Sequence, residues 1–484
     1  MYLGLDLGTS ALKALLIDDN QQIVGSASAD LEVSRPASGW SEQQPADWIK
    51  ACEKAILGLK SEHAKALFGV RGIGLSGQMH GATLIDKAEE PLRPCILWND
   101  TRAHQEAAAM DADPRFRDVS GNIVFPGFTA PKVAWVKENE PAIFEKLDRV
   151  LLPKDYLRLW LTGECVSEMS DAAGTSWLDV GGRCWSSALL EATGLTEANM
   201  PRLVEGSEIS GEVRDSLATT LGMGSKVVVA GGAGDNAAAA AGLGAIAEGS
   251  AFASLGTSGV LFAANGGYRP NAASAVHTFC HALPGTWHQM GVILSATDAL
   301  NWFATIVGAD AGTLTAELGD RLRAPTNTTF LPYLSGERTP HNDAGIRGVF
   351  AGLDRMDERA AMTQAILEGV AFALRDSLEA LGAAGTKLDR IMAVGGGSKS
   401  PYWLSALATT LGLPVDLPHD GDFGAAFGAA RLGLIAATSA DPKTICTPPA
   451  VERTFEPERS LESAYAEAYR RYRALYPAVS GAMS

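Results

Sequence analysis

Short apolar runs broken by polar turns open the chain. Tyr2 to Asp6, Lys13 to Ile17 and Gln22 to Ser26 read as β segments, with Asp18-Asp19-Asn20 supplying the second turn. After Pro45, a suitable first residue for a helix, the period changes: Trp48, Ile49, Cys52, Ile56 and Leu59 fall on one helical face. Val70 to Ser76 reads as a buried strand that ends at Gln78-Met79-His80-Gly81. Residues from Asp111 to Gly224 mix short helical pieces with Pro, Gly and Trp, as an insertion decorating a first domain would. The opening order then recurs, beginning with a strand over Lys226 to Ala230. Farther on, Met362, Ile366, Val370, Leu374 and Leu378 recur every four residues on a long helix from about Glu358. A strand over Arg390 to Val394, the turn Gly395-Gly396-Gly397-Ser398 and a helix near Pro401 complete the pattern. Alternation of this kind predicts α/β layers.

One phrase ties the two stretches together. Asp6-Leu7-Gly8-Thr9-Ser10 is echoed by Ser254-Leu255-Gly256-Thr257-Ser258, each copy lying between two β-type runs. Each therefore sits in a hairpin turn. Glycine lets backbone amides approach a ligand, and adjacent hydroxyls complete an anion-binding concavity. Two such turns facing each other could grip the phosphates of one nucleotide. A single copy would be an ordinary β-turn; the pairing, with Gly234-Asp235-Asn236 shortly before the second copy, favours the phosphate reading.

At 484 residues the chain predicts two or three domains, and the repeat places the main boundary near the middle. A formal charge of −16 argues against nucleic acid or an anionic membrane as a broad-surface partner. It does not exclude a nucleotide held by backbone amides and a divalent cation. The six cysteines are scattered without a CxxC pair and read as free thiols in a reducing compartment. With neither a credible signal peptide nor a membrane-spanning stretch, a cytoplasmic location is expected.

Asp235 is the strongest catalytic candidate. Small neighbours in Gly231-Gly232-Ala233-Gly234 leave its carboxylate accessible at a strand end, where it could accept the proton of an attacking hydroxyl. A helix N-cap is the alternative. Asp6, directly before the first glycine turn, could hold Mg²⁺ through water beside the phosphates, or simply stabilise its turn. Gln78-Met79-His80-Gly81 and Trp98-Asn99-Asp100-Thr101-Arg102 combine hydroxyl-binding groups with apolar surface, as a polyol site needs, although His80 alone reads as a structural histidine. His277-Thr278-Phe279-Cys280-His281 lacks the second ligand pair of a zinc site and reads as a strand.

These residues resemble the FGGY carbohydrate kinases of the actin-like ATPase superfamily over nearly the whole chain. The first family signature corresponds to Gly127-Phe128-Thr129-Ala130-Pro131-Lys132-Val133-Ala134-Trp135-Val136. The second runs from Gly348-Val349-Phe350-Ala351-Gly352-Leu353 to Ile366-Leu367-Glu368, with Ala361 where a polar residue is usual. Gln78 to Gly81, Ile96 to Asp100 and Leu331 to Pro340 are similar to the xylulokinases more than to the glycerol kinases. The resemblance implies an α/β fold of two actin-like (ribonuclease H-like) domains around a cleft, residues 1–246 binding sugar and 247–484 binding nucleotide. It implies ATP-dependent phosphorylation of D-xylulose at its 5-hydroxyl, with ATP and Mg²⁺; a kinase for another ketose or polyol is the alternative. By resemblance, Asp235 is the base; Asp6 remains the candidate metal carboxylate on the reading of its turn. Met79, His80, Asp235 and Asn236, with Trp98 and Arg102, would meet the sugar. Gly8, Thr9, Ser10, Gly256, Thr257 and Ser258 would meet the phosphates, and Gly396 and Gly397 adenosine. The expected partners are a small sugar and ATP, with a homodimer left open.

Overall fold

The first expected hairpin forms where the glycine turn lies. Strands β1 (Tyr2–Leu7) and β2 (Ala11–Ile17) pair antiparallel, and Gly8 N donates to Ala11 O at 3.0 Å to close the turn. This computed structural model describes residues 1–419, 421 and 423–483. Strand β3 (Ile23–Asp30) runs farther than its apolar residues suggest, because its ladder with β2 continues to Ala11 opposite Asp30. Helix α1 (Pro45–Phe68) follows and buries Trp48, Cys52, Ile56 and Leu59, the face its periodicity predicts. Strand β4 (Gly72–Gly77) starts two residues later than expected, since Val70 N still bonds Leu67 O in the turn that ends the helix. Strands β5 (Ile209–Glu212), β6 (Val228–Ala230) and β7 (Ala233–Gly234) complete the first sheet. Lys226 takes a left-handed φ of 58°, which shortens the strand expected from that residue. Helix α2 (Asp235–Leu243) leaves β7 directly.

The second sheet contains β8 (Ala251–Leu255), β9 (Gly259–Asn265), β10 (His277–Cys280), β11 (Trp287–Ile293), β12 (Ile391–Val394), β13 (Val415–Pro418) and β14 (Val451–Phe455). Helix α3 (Arg359–Ala383) leads to β12, and α4 (Pro401–Leu411) joins β12 to β13. Helices α5 (Ala425–Thr438) and α6 (Glu462–Met483) lie in the last sixty residues, which the apolar periodicity had not resolved.

The repeat extends far beyond its four shared residues. The first sheet runs β3-β2-β1-β4-β6-β5, and the second contains β11-β9-β8-β12-β13-β14. In both, the second and third strands form the Leu-Gly-Thr-Ser hairpin. The third, fourth and fifth strands run parallel, and the last returns antiparallel. Two related α/β units are therefore present, as expected. They also share packing. Helix α5, late in the chain, lies on β1 and β4 of the first sheet and against α2. Backbone meets backbone there: a Cβ on Gly4 would stand 1.8 Å from Ala426 O, one on Gly74 1.8 Å from Ala429 O, and one on Gly428 1.7 Å from Ala238 O. Conversely, Ala240 and Leu243 of α2 share an apolar cluster with Phe252 and Phe262 of the second sheet. Among the described residues no helix is long and apolar enough to cross a membrane.

Candidate active site

Three adjacent parallel strands deliver the candidate residues of the first half. Asp6 on β1 is in register with Ser76 on β4, and Ser76 with Ala233 on β7. Past their carboxyl ends the chain releases Gly8-Thr9-Ser10, Gln78-Met79-His80 and Asp235-Asn236 side by side. The carboxyl edge of a parallel sheet is where α/β folds place ligands. The first glycine turn is held from several sides. Thr9 Oγ1 donates to Gln78 Oε1 at 3.2 Å, Trp98 Nε1 to Thr9 Oγ1 at 3.0 Å and Gln43 Nε2 to Thr9 O at 2.7 Å. Trp98 thus spends its N–H on the turn, while its half-exposed ring lines the neighbouring cavity.

Asp235 is the first residue of α2 and half-buried; Gly234 occupies the N-cap position. Burial, reinforced by the nearby Asp6 charge, pushes its carboxyl up to about 6, against hydrogen bonds from Asn236 that favour the ionised form. Two carboxylates near the end of β1 suit Mg²⁺, which takes one or two protein carboxylates and fills its shell with phosphate and water. Among the described residues there is no cluster of three or more His, Cys, Asp or Glu that would hold a metal unaided, and His277–Cys280 is strand β10.

His80 is set by the first signature segment. It adopts a left-handed φ of 69°, a costly state for a residue with a Cβ. Its carbonyl accepts from Thr129 Oγ1 at 3.0 Å and from the buried Lys132 Nζ at 3.1 Å, and its ring stacks on Phe128 with centroids 4.5 Å apart. His80 Nδ1 lies 2.7 Å from Gly174 O. Burial draws the imidazole down to about 3, so it is neutral; Nδ1 donates to that carbonyl and Nε2 is left as an acceptor. Burial likewise brings Lys132 down to about 7. Met79 packs against Gly234, immediately before Asp235.

Arg102 is placed otherwise than expected. Its side chain is buried, paired with Asp100 at 2.7 Å and Glu42 at 2.8 Å, and lies over the Trp40 ring at 3.6 Å. It braces the Trp98–Asp100 loop and offers no donor to a sugar, because its fork is consumed by the two carboxylates. A second buried charge cluster, which hydrophobic periodicity gave no means of finding, supports Asp235. Arg158 donates to Ala230 O at 2.6 Å and Gly231 O at 2.5 Å, and Ser170 Oγ accepts from Gly234 N at 3.0 Å. Lys154 ties Asp155, Glu168 and Asp171 together beneath.

The second half repeats the arrangement. Gly256 and Thr257 turn beyond β8, and their carbonyls accept from Thr297 N and Ala296 N, both at 2.8 Å. Beyond β12, Gly395 takes a φ of 91°, and a single helical turn spans Gly396–Lys399. Gly396 is open on its Cα face, whereas Gly397 is pressed against Leu255 and Trp403. These glycines line a cavity of ≈ 540 Å³ with Thr297, Asn301 and Lys399. A larger cavity of ≈ 800 Å³ is walled by Asn236 of the first half and by Ser254, Gly395 and Ser398 of the second.

The model of the FGGY family of carbohydrate kinases matches through its N-terminal domain over residues 1–242 and its C-terminal domain over 251–437. The chain belongs to the FGGY family. This FGGY kinase is 46% identical over 481 residues to the xylulose kinase of Escherichia coli, covering 98% of both chains. A crystal structure described as a xyloylose kinase from Brucella ovis superposes with a TM-score of 0.98 at 65% identity, covering 99% of both chains. The gluconate kinase of Lactobacillus acidophilus reaches 0.91 at 25% identity, covering 99% of this chain and 98% of its own. The two-unit α/β architecture is that of FGGY kinases, and the chain is a carbohydrate kinase.

Proposed function

We propose that this kinase phosphorylates D-xylulose at its 5-hydroxyl with ATP, giving D-xylulose 5-phosphate and ADP. The observation that carries the reading is the position of Asp235, first residue of α2 beside the strand end that leads to His80 and directly before Asn236, which walls the cavity shared with Gly395. Near-full-length similarity to the E. coli xylulose kinase supports the choice of sugar. Asp235 takes the proton of the 5-hydroxyl as that oxygen attacks the γ-phosphorus. Asn236 holds the carboxylate and reaches a neighbouring hydroxyl, His80 Nε2 accepts from another, and Met79 meets the carbon face. Trp98 bounds the pocket.

Gly8, Thr9 and Ser10 oppose Gly256, Thr257 and Ser258 across the phosphates, and Gly396 and Gly397 carry the adenosine. Asp6 would hold Mg²⁺, which when bound neutralises charge on the β- and γ-phosphate oxygens. Residues 1–246 form the sugar-binding division and 247–484 the nucleotide-binding one, with α5 returned to the first sheet. Six free thiols support a reducing, cytoplasmic setting.

A kinase for another ketose or polyol is the second reading, favoured by the close superposition with a gluconate kinase. One coupled assay of ADP release across pentuloses, aldonates and polyols decides between them. D-xylulose leads the panel in kcat/KM and glycerol falls far behind, because the shorter acceptor leaves His80 and Asn236 unpaired. A different leader overturns the substrate.

A further inference from the structure

Arg338 belongs to the second half yet lines the same cavity of ≈ 580 Å³ as His80 and Trp98 of the first. Its guanidinium carbon lies 4.2 Å from the centre of the Phe125 ring, across the division between the halves. Its Nη1 lies 3.4 Å from His277 Nε2, and the His277 ring is 5.8 Å from Phe128, on which His80 is stacked. Among the described residues His277 is the only hydrogen-bonded partner of the guanidinium, which leaves most of its five N–H donors for whatever enters the cavity.

The backbone around Arg338 is built to stay in place. Glu337, 2% exposed, accepts through Oε1 from Leu294 N at 3.1 Å and Arg338 N at 2.7 Å. Its buried Oε2 has no hydrogen-bonded partner, and Glu337 lines the same cavity. On the other side, Thr339 N donates to Val292 O at 3.0 Å, and Thr339 Oγ1 accepts from Val292 N at 3.0 Å and donates to Ala275 O at 2.9 Å. A half-buried cation over an aromatic ring, beside a buried carboxyl oxygen without a partner, is a poor final state. A ligand rich in hydroxyl and carbonyl oxygens satisfies both groups.

We propose that Arg338 is a specificity-determining residue of the acceptor site, donating to oxygens at the non-reacting end of a polyhydroxy acceptor so that both halves grip it. On that assignment Asp235 serves the reacting hydroxyl and Arg338 the opposite end of the acceptor. The inference rests on the reading that the acceptor lies beside His80.

The test uses the full-length enzyme and the acceptor that leads the panel, so failure of D-xylulose to lead overturns only the substrate reading. In Arg338→Gln the KM for that acceptor rises about 10- to 100-fold, while the KM for ATP stays within about twofold. Arg338→Lys keeps the charge but loses the planar fork, and recovers part of the affinity. An unchanged acceptor KM in Arg338→Gln, or an equal rise in the KM for ATP, overturns the assignment. If the glutamine variant fails to fold, the lysine variant decides: a rise of about threefold or more supports the assignment and an unchanged KM overturns it.

Discussion

Asn236 donates twice to the residue before it, its backbone N at 2.7 Å and its Nδ2 at 2.9 Å from Asp235 Oδ1. One carboxylate oxygen is thereby fixed, which in the proposed mechanism leaves the other for the acceptor hydroxyl. In Asp235→Asn an amide occupies the same outline but cannot take a proton, so kcat falls about 10²–10⁴-fold while acceptor affinity changes little. Rapid-quench turnover beside calorimetric binding of the sugar separates the two; near-normal kcat would remove Asp235 from the role. Since burial and Asp6 hold the carboxyl near 6, activity of the parent enzyme also declines below that pH as the base becomes protonated.

Asp6 stands in register with Lys13 on β2 and Ser76 on β4, at the strand end beside Gly8. Replacement by alanine weakens the metal more than the sugar. The Mg²⁺ concentration for half-maximal activity rises, and the KM for the acceptor at saturating Mg²⁺ stays near the parent value. An unaltered Mg²⁺ dependence would reduce Asp6 to a turn residue.

His288 is buried between Phe262, on which it stacks at 4.6 Å, and the edges of Phe279 and His281. Burial holds its imidazole well below the ordinary value of 6.5. Below pH 6.5 the unfolded chain takes up a proton there that the folded chain refuses, so this residue's contribution is intact above 6.5 and falls with pH. The loss grows by at most about 1.4 kcal/mol per pH unit. His288→Phe removes it. Denaturant titrations at pH 5 and pH 8 therefore give a more favourable change in stability, relative to the parent, at the lower pH; equal changes at both would refute the assignment.

The repeat and the α3 helix were legible because each writes a local pattern: a glycine-hydroxyl turn between β runs, and apolar residues every fourth position. The place of Asp235 at a strand end was legible for the same reason, since small residues precede it. Helix α5 was not, because Ala425–Thr438 is rich in Ala and Gly and buried on nearly every side, which leaves no polar face to mark a period. Arg102 shows the limit for charge. Sequence placed it on the right loop, but only the positions of Asp100, Glu42 and Trp40 determine that its guanidinium turns inward. Lys132, Lys154 and Arg158 carried no cue either, since a charged side chain is ordinarily read as surface; Lys132 and Arg158 are buried against partners far along the chain, and Lys154 against carboxylates whose approach no local pattern marks.

The crossing of α5 onto the first sheet also fixes when that sheet can be finished. Gly4, Gly72 and Gly74 meet the backbone of a helix that starts at residue 425, so β1 and β4 lack their cover until almost nine-tenths of the chain has been synthesised. A chain cut short before α5 would therefore leave that face of the first sheet, and the adjoining side of α2, without its cover.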